Sequence, residues 1–72
     1  MKAKVTWRNK NPFCPRWEDL GRVSEAEIAD DMEIETIIRY AKEATPDGFW
    51  LHTIETPYHT VTYNYNGDLV NG

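Results

Sequence analysis

One stretch of this chain, residues 24–44, is long enough to form an uninterrupted helix, because it contains neither Gly nor Pro. Ser24 and Glu27 have the spacing of a capping box, which is typical of a helix start. The apolar residues of its second half fall on one helical face; they are Ile34, Ile37, Ile38, Ala41 and Ala44. We therefore predict a helix over 33–43 and a further helical stretch over 24–31.

The two predicted helical stretches do not share one apolar face. In a continuous helix, Ile28 and Met32 would point in a different direction from Ile34. Asp30 and Glu33 also have capping-box spacing, which favours a second helix start. The pattern predicts a bend or a break in the helix near Asp30 and Asp31.

The regions on either side of this stretch have the patterns of strands. Residues 2–8 alternate between apolar and polar side chains, which is the period of a half-buried strand. Residues 49–55 and 58–65 are rich in β-branched and aromatic side chains, and Thr56-Pro57 separates them. We predict that they form a hairpin, whose register the sequence leaves open. If Ile54 lies opposite His59, one face carries Trp50, His52, Ile54, His59, Val61, Tyr63 and Tyr65, whereas a shift of one residue reverses that assignment.

The predicted fold is α+β, in the order β-α-β-β with an optional last strand. Asn66-Gly67 is a favourable type I′ turn pair, which allows residues 68–71 to return as that strand. One helix, continuous or broken, then packs on a mainly antiparallel sheet of three to four strands. A chain of 72 residues has room for a single domain, here 1–72.

The small size of the chain favours binding over catalysis. A single core of this size stabilises a domain by roughly 3–5 kcal/mol. An enclosed active site would consume much of that core, whereas a docking surface would not. We expect a protein that is not an enzyme.

The residue types that usually hold metals or perform catalysis are isolated in this sequence. Cys14 is the one cysteine, and His52 and His59 are not at a common zinc-ligand spacing. No glycine-rich phosphate loop is present. We predict no catalytic residue, no metal site and no cofactor.

A lone cysteine also bears on the compartment, since it cannot form an intrachain disulfide. The first residues lack the apolar region of a signal peptide. The longest aromatic-aliphatic run, residues 49–51, is too short to cross a bilayer. We expect a cytoplasmic protein that does not bind membranes.

Charge is unevenly distributed along the chain. Residues 1–17 carry five bases and no acid, whereas residues 18–38 carry eight acids and one base. Such a distribution steers a charged partner, unless the two sections neutralise each other in the fold. We predict that the acidic section binds a basic protein surface, in part by imitating a nucleic-acid backbone. The predicted partner-binding residues are Trp17 as an apolar anchor, with Glu27, Asp30, Asp31, Glu33 and Glu35.

Two other binding modes are left open by the sequence. The basic N-terminal section is interleaved with Trp7, Phe13 and Trp17, which are the ingredients of a single-stranded nucleic-acid platform. The acidic pI near 5.0 and the lack of a nucleic-acid-binding motif count against that mode. A homo-oligomer that pairs through the edge of the first strand, residues 2–8, or of the optional last strand, residues 68–71, is the third possibility.

In size, acidity and lack of catalytic motifs, the chain looks like the small accessory proteins that bacteriophages and mobile elements encode. That resemblance implies an inhibitor or an adaptor. It rests on no particular residue, and it transfers no functional residue to this sequence.

Overall fold

A computed structural model describes residues 1–11, 13 and 21–71 of the chain. Within them, one helix packs on an antiparallel sheet, which confirms the α+β fold class. The elements in chain order are β1 (Lys2–Asn9), β2 (Gly21–Glu27), α1 (Ile34–Glu43), β3 (Phe49–Glu55), β4 (Thr60–Tyr63) and β5 (Leu69–Asn71). The sheet has the strand order β2-β1-β3-β4-β5.

The described sheet has five strands, where the sequence predicts three to four, and the additional strand is β2. The prediction of a helix over 24–31 is therefore wrong. Ser24 and Glu27 lie in β2, opposite Val5 and Lys2 of β1. This pairing runs along the whole of β2, and its hydrogen bonds outweigh a local capping preference.

The helix itself begins later than either capping-box pattern indicates. The backbone carbonyl of Glu33 accepts hydrogen bonds from the N–H groups of Thr36 and Ile37, and no side chain caps the first turn. The capping box predicted for Asp30 and Glu33 does not form. The predicted helix over 33–43 is confirmed, with α1 covering Ile34–Glu43.

The core lies between α1 and the central strands. Its buried members are Trp7, Ile37, Ala41, Leu51, Ile54, Val61 and Tyr63. Trp7 connects the layers, because its indole Nε1 donates to the carbonyl of Ala41 at 3.4 Å. Val5 and Ile34 are partly buried against this cluster. The helix thereby covers one face of the sheet.

The predicted hairpin forms as β3 and β4, in a register that the sequence left open. Ile54 lies opposite Val61, not His59, because residues 56–59 form the turn. In that turn, the hydroxyl of Thr56 accepts hydrogen bonds from the N–H groups of Tyr58 and His59. His59 is thus held in the turn and does not pair with Ile54.

A β-bulge decides which side chains of β3 reach the core. Thr6 pairs with Thr53, but the next residue, Trp7, pairs with Leu51, so His52 is the additional residue of β3. Leu51 and Ile54 therefore both face the helix, although strict alternation places them on opposite faces. Of the residues grouped on one face by the His59 register, Ile54, Val61 and Tyr63 do share the core, whereas Trp50 and His52 do not belong to it.

The optional last strand is present as β5. It follows a tight turn in which Gly67, at φ 86°, donates its N–H to the carbonyl of Asn64 at 3.0 Å. That backbone conformation strains any residue with a Cβ, so glycine is favoured at this position. The predicted chain reversal is confirmed, but the type I′ geometry is wrong: Tyr65 and Asn66 are the central residues of the turn, and Asn66 does not have a positive φ.

Candidate functional site

An open apolar groove lies between α1 and the outer part of the sheet, with a volume of about 170 Å³. Val5 and Ala26 line it from strands β1 and β2, and Tyr40 and Ala44 line it from the helix. Met32, in the connection between β2 and α1, also lines it. Nearly all of the surface that lines the groove is apolar, and the groove is open to solvent.

The groove exists because the facing side chains are small. On β2, Ser24 and Ala26 lie on the helix side of the sheet, opposite Val5 and Ala3 of β1. On the helix, the neighbouring side chain is Ala44. These small side chains do not fill the space between β2 and the helix, so apolar surface stays open to solvent.

The predicted acidic residues lie along the connection between β2 and α1, next to this groove. Glu27 ends β2, Asp30 and Asp31 lie in the following turn, Glu33 precedes the helix and Glu35 lies in its first turn. The predicted line of carboxylates along one helix face is wrong, because residues 27–33 are not helical. The connection carrying these charges also supplies Met32 to the groove.

Two of these carboxylates bind the amino group of Met1. Its nitrogen is 2.6 Å from Oδ1 of Asp30 and 3.2 Å from Oε1 of Glu27. The hydrogen bond to Asp30 raises the pKa of this amino group, partial desolvation opposes that shift, and Glu27 adds to it. The carboxylate side chains stay 72% and 82% exposed, and one ammonium cannot neutralise both.

We expect the contribution of the Met1 contact to stability to depend on pH. Because the amino group has a higher pKa in the folded protein, its contribution is complete below its ordinary pKa of 8.0. The contribution disappears as the pH rises through the folded value. Urea unfolding of the wild type and of Asp30→Asn, at pH 7 and at pH 10, measures this: the difference between the two proteins should be smaller at pH 10. An equal difference at both pH values would contradict the assignment.

The remaining acids of the segment are not neutralised within residues 1–11, 13 and 21–71. There, no base lies within ion-pair distance of Asp31, Glu33 or Glu35. The lysines of β1 lie opposite acids of the neighbouring strands: Lys2 lies opposite Glu27, and Lys4 lies opposite Glu25 and Glu55. Lys2 is thus the base of β1 that lies opposite a predicted partner-binding residue.

Trp17, the predicted apolar anchor, and Cys14 lie outside the described residues. Of the other aromatics proposed for nucleic-acid stacking, Phe13 is 87% exposed. Trp7 is only 7% exposed and belongs to the core, so it does not form part of a stacking surface.

The face of the sheet opposite the helix carries a separate aromatic cluster. The ring of Trp50 packs edge-to-face on His52 and on Tyr65, with ring centroids 5.4 and 5.8 Å apart. Burial, and then the charge of Arg8, lower the pKa of His52. The alternation along residues 49–55 does not indicate the bulge at His52, so it places Trp50 and His52 on the same face as Ile54.

Chemical groups for metal binding do not converge in the described residues, where no three His, Cys, Asp or Glu side chains form a group. In the same part of the chain, every helix is too short or too polar to cross a membrane. The chain matches no protein-family model, no curated protein and no solved structure.

The sequence predicts a helical stretch over 24–31 and therefore does not indicate the groove residues of β2. The order of residues 24–27, Ser-Glu-Ala-Glu, alternates small and acidic side chains with a period of two. That alternation indicates a strand with one face directed to the protein and the other to solvent. It is a weak local signal for β2 as a strand, although it does not indicate the groove itself.

Proposed function

We propose that this chain is a protein-binding module, acting as an inhibitor or an adaptor, that receives a basic segment of another protein. The observation that supports this function is the apolar groove adjoining the acidic segment 27–35. The groove takes an apolar side chain of the partner, and the carboxylates bind its basic residues.

The size of the groove suits a single anchor side chain. A cavity of about 150 Å³ accommodates a benzene ring, and the groove here measures about 170 Å³. Burial of one large apolar side chain stabilises a complex by about 1.5–3 kcal/mol. The carboxylates add selectivity and a faster association rate, because they attract basic surfaces and repel acidic ones.

The acidic segment is tested by neutralising Asp31, Glu33 and Glu35 with their amides. These three residues are suitable because none of them contacts Met1, so the ion pairs of Met1 with Glu27 and Asp30 remain. We expect proteins captured by the wild type from a cell extract to be lost, and a purified partner to bind roughly tenfold more weakly. Mass spectrometry identifies the captured protein, and calorimetric titration measures its affinity.

The matched control neutralises three acids outside the segment: Asp47→Asn, Glu55→Gln and Asp68→Asn. It changes the net charge by the same amount, so it separates a local effect from a general one. Equal losses of affinity in both triple variants, or no loss in either, would reject the acidic segment as the binding site.

The second candidate function, binding of single-stranded nucleic acid, is favoured by the cluster of Trp50, His52 and Tyr65 near Arg8. Bases would stack on these aromatic rings. Titration with an oligonucleotide at two salt concentrations tests it, since affinity for phosphates falls steeply with salt. Substitution of Trp50 and Tyr65 by leucine would remove such binding.

A further inference from the structure

Strand β2 forms an outer edge of the sheet, and among the described residues its second edge has no partner strand. The undescribed residues 14–20 lead into β2 at Gly21, whereas Glu25 and Glu27 lie towards its other end. Natural edge strands are usually protected by charged side chains, above all lysine, by proline or by a bulge. β2 contains no lysine or proline and its pairing with β1 has no bulge, while its acids Glu25 and Glu27 oppose an acidic strand but not a basic one.

Hydrogen bonds at the end of the β1–β2 pair show which backbone groups point outward. Met1 and Ile28 exchange both bonds, each at 2.8 Å, so they form a hydrogen-bonded pair. Such pairs recur at every second residue of an antiparallel ladder. Ala26 and Ser24 therefore also exchange backbone hydrogen bonds with β1. The N–H and C=O groups of the residues that alternate with them point to the open edge of β2. These outward groups belong to Val23, Glu25 and Glu27.

The side chains beside these outward groups favour a basic partner strand. Glu25 lies opposite Lys4, which in turn lies opposite Glu55, so charges alternate across the sheet. A base on an added strand would continue this alternation, and an acid would interrupt it. A second copy of this chain, paired through its own β2, brings no base to Glu25 and Glu27, because the one base of that strand, Arg22, lies on the face of Ser24 and Ala26.

We propose that the partner adds an extended strand to the free edge of β2, with bases beside Glu25 and Glu27 and apolar residues between them. The intervening side chains lie on the face of Ser24 and Ala26, and so enter the groove. This inference rests on the proposed function and specifies the partner segment as an extended chain that alternates basic and apolar residues.

The probe for this mode is a capped peptide in which three valines alternate with three lysines. Its control has the same composition, with the valines and lysines in separate blocks. Amide hydrogen exchange, followed by NMR, reports the edge directly. Without peptide, the N–H groups of Ser24 and Ala26 should be protected, and those of Val23, Glu25 and Glu27 should exchange rapidly. The alternating peptide at millimolar concentration should protect the three outward groups, and the block peptide should protect them much less.

A pair of variants isolates the backbone hydrogen bond. Glu25→Pro removes the carboxylate and an outward N–H, and proline is tolerated at an edge position whose N–H faces solvent. Glu25→Thr removes the carboxylate and keeps the N–H. We expect the proline variant to bind the alternating peptide about fivefold more weakly than the threonine variant. The wild-type exchange measurement is independent of whether either variant folds.

The outcomes separate this inference from the proposed function. Protection of Val23, Glu25 and Glu27 by the alternating peptide supports strand addition. Peptide binding that leaves these amides unprotected, or no binding at millimolar peptide, overturns it. In either case the amide variants of Asp31, Glu33 and Glu35 still test the acidic segment with a full-length partner, so the proposed function can stand alone.

Discussion

Replacement of Ile54 by alanine should unfold most of the protein at room temperature. Ile54 has no exposed surface, and it lies between Val5 of β1 and Val61 of β4. Removing its three outer carbons leaves a cavity and costs about 2–5 kcal/mol. A domain of this size has roughly 3–5 kcal/mol in total. Urea and thermal unfolding, followed by far-UV circular dichroism, would measure the loss.

A graded series makes this prediction specific to packing. Ile54→Val removes one methyl group and should cost about 0.5–1.5 kcal/mol. Val70→Ala removes carbon atoms from a side chain that is 62% exposed, and should change stability by less than about 0.5 kcal/mol. If Ile54→Ala matched Val70→Ala, the assignment of Ile54 to the centre of the core would be wrong.

The parts of the fold that were predictable from sequence are those whose pattern reflects burial within one element. Ala3, Val5 and Trp7 alternate because β1 has one face against the helix. Ile37 and Ala41 share a face because both are buried on the side of α1 that packs on the sheet. In these elements the local pattern and the tertiary contacts favour the same structure, so the sequence is sufficient.

Strand β2 could not be predicted in this way because it lies at an edge. Val23 is exposed, and the small side chains of Ser24 and Ala26 give a weak apolar signal. The pairing with β1, which decides the structure, depends on residues about 20 positions away. The Ser24-Glu27 capping spacing is a local preference of about 1 kcal/mol, which a complete ladder of backbone hydrogen bonds exceeds.

The candidate site illustrates the same limit. The sequence predicts the acidic residues as binding residues, but it places them on a helix. Residues 27–33 instead connect strand β2 to the helix. The groove beside them requires β2, Met32 and the helix to be in place together. No single segment carries its signature, so only the assembled fold reveals an apolar cleft beside the negative charge.

Replacement of Trp7 by alanine is expected to have an effect as large as that of Ile54→Ala, by a different route. Trp7 is buried in the core, and its indole donates to the carbonyl of Ala41, so it ties β1 to the helix. Losing a buried tryptophan costs about 3–5 kcal/mol. Chemical denaturation should show an almost unfolded protein. Trp50→Ala, on the opposite face, should be milder, because Trp50 is only partly buried.

Trp7→Phe then separates the stability of the core from the shape of the groove. The ring volume is mostly kept, and the carbonyl of Ala41 still accepts the hydroxyl of Thr45 at 3.0 Å, so no buried acceptor is left without a donor. The cost should be about 1–2 kcal/mol, which leaves a measurable folded population. Trp7 also lines the groove, and a smaller ring enlarges it. A folded Trp7→Phe protein with altered affinity for an apolar anchor would connect the groove to binding, whereas unchanged affinity would place the partner elsewhere.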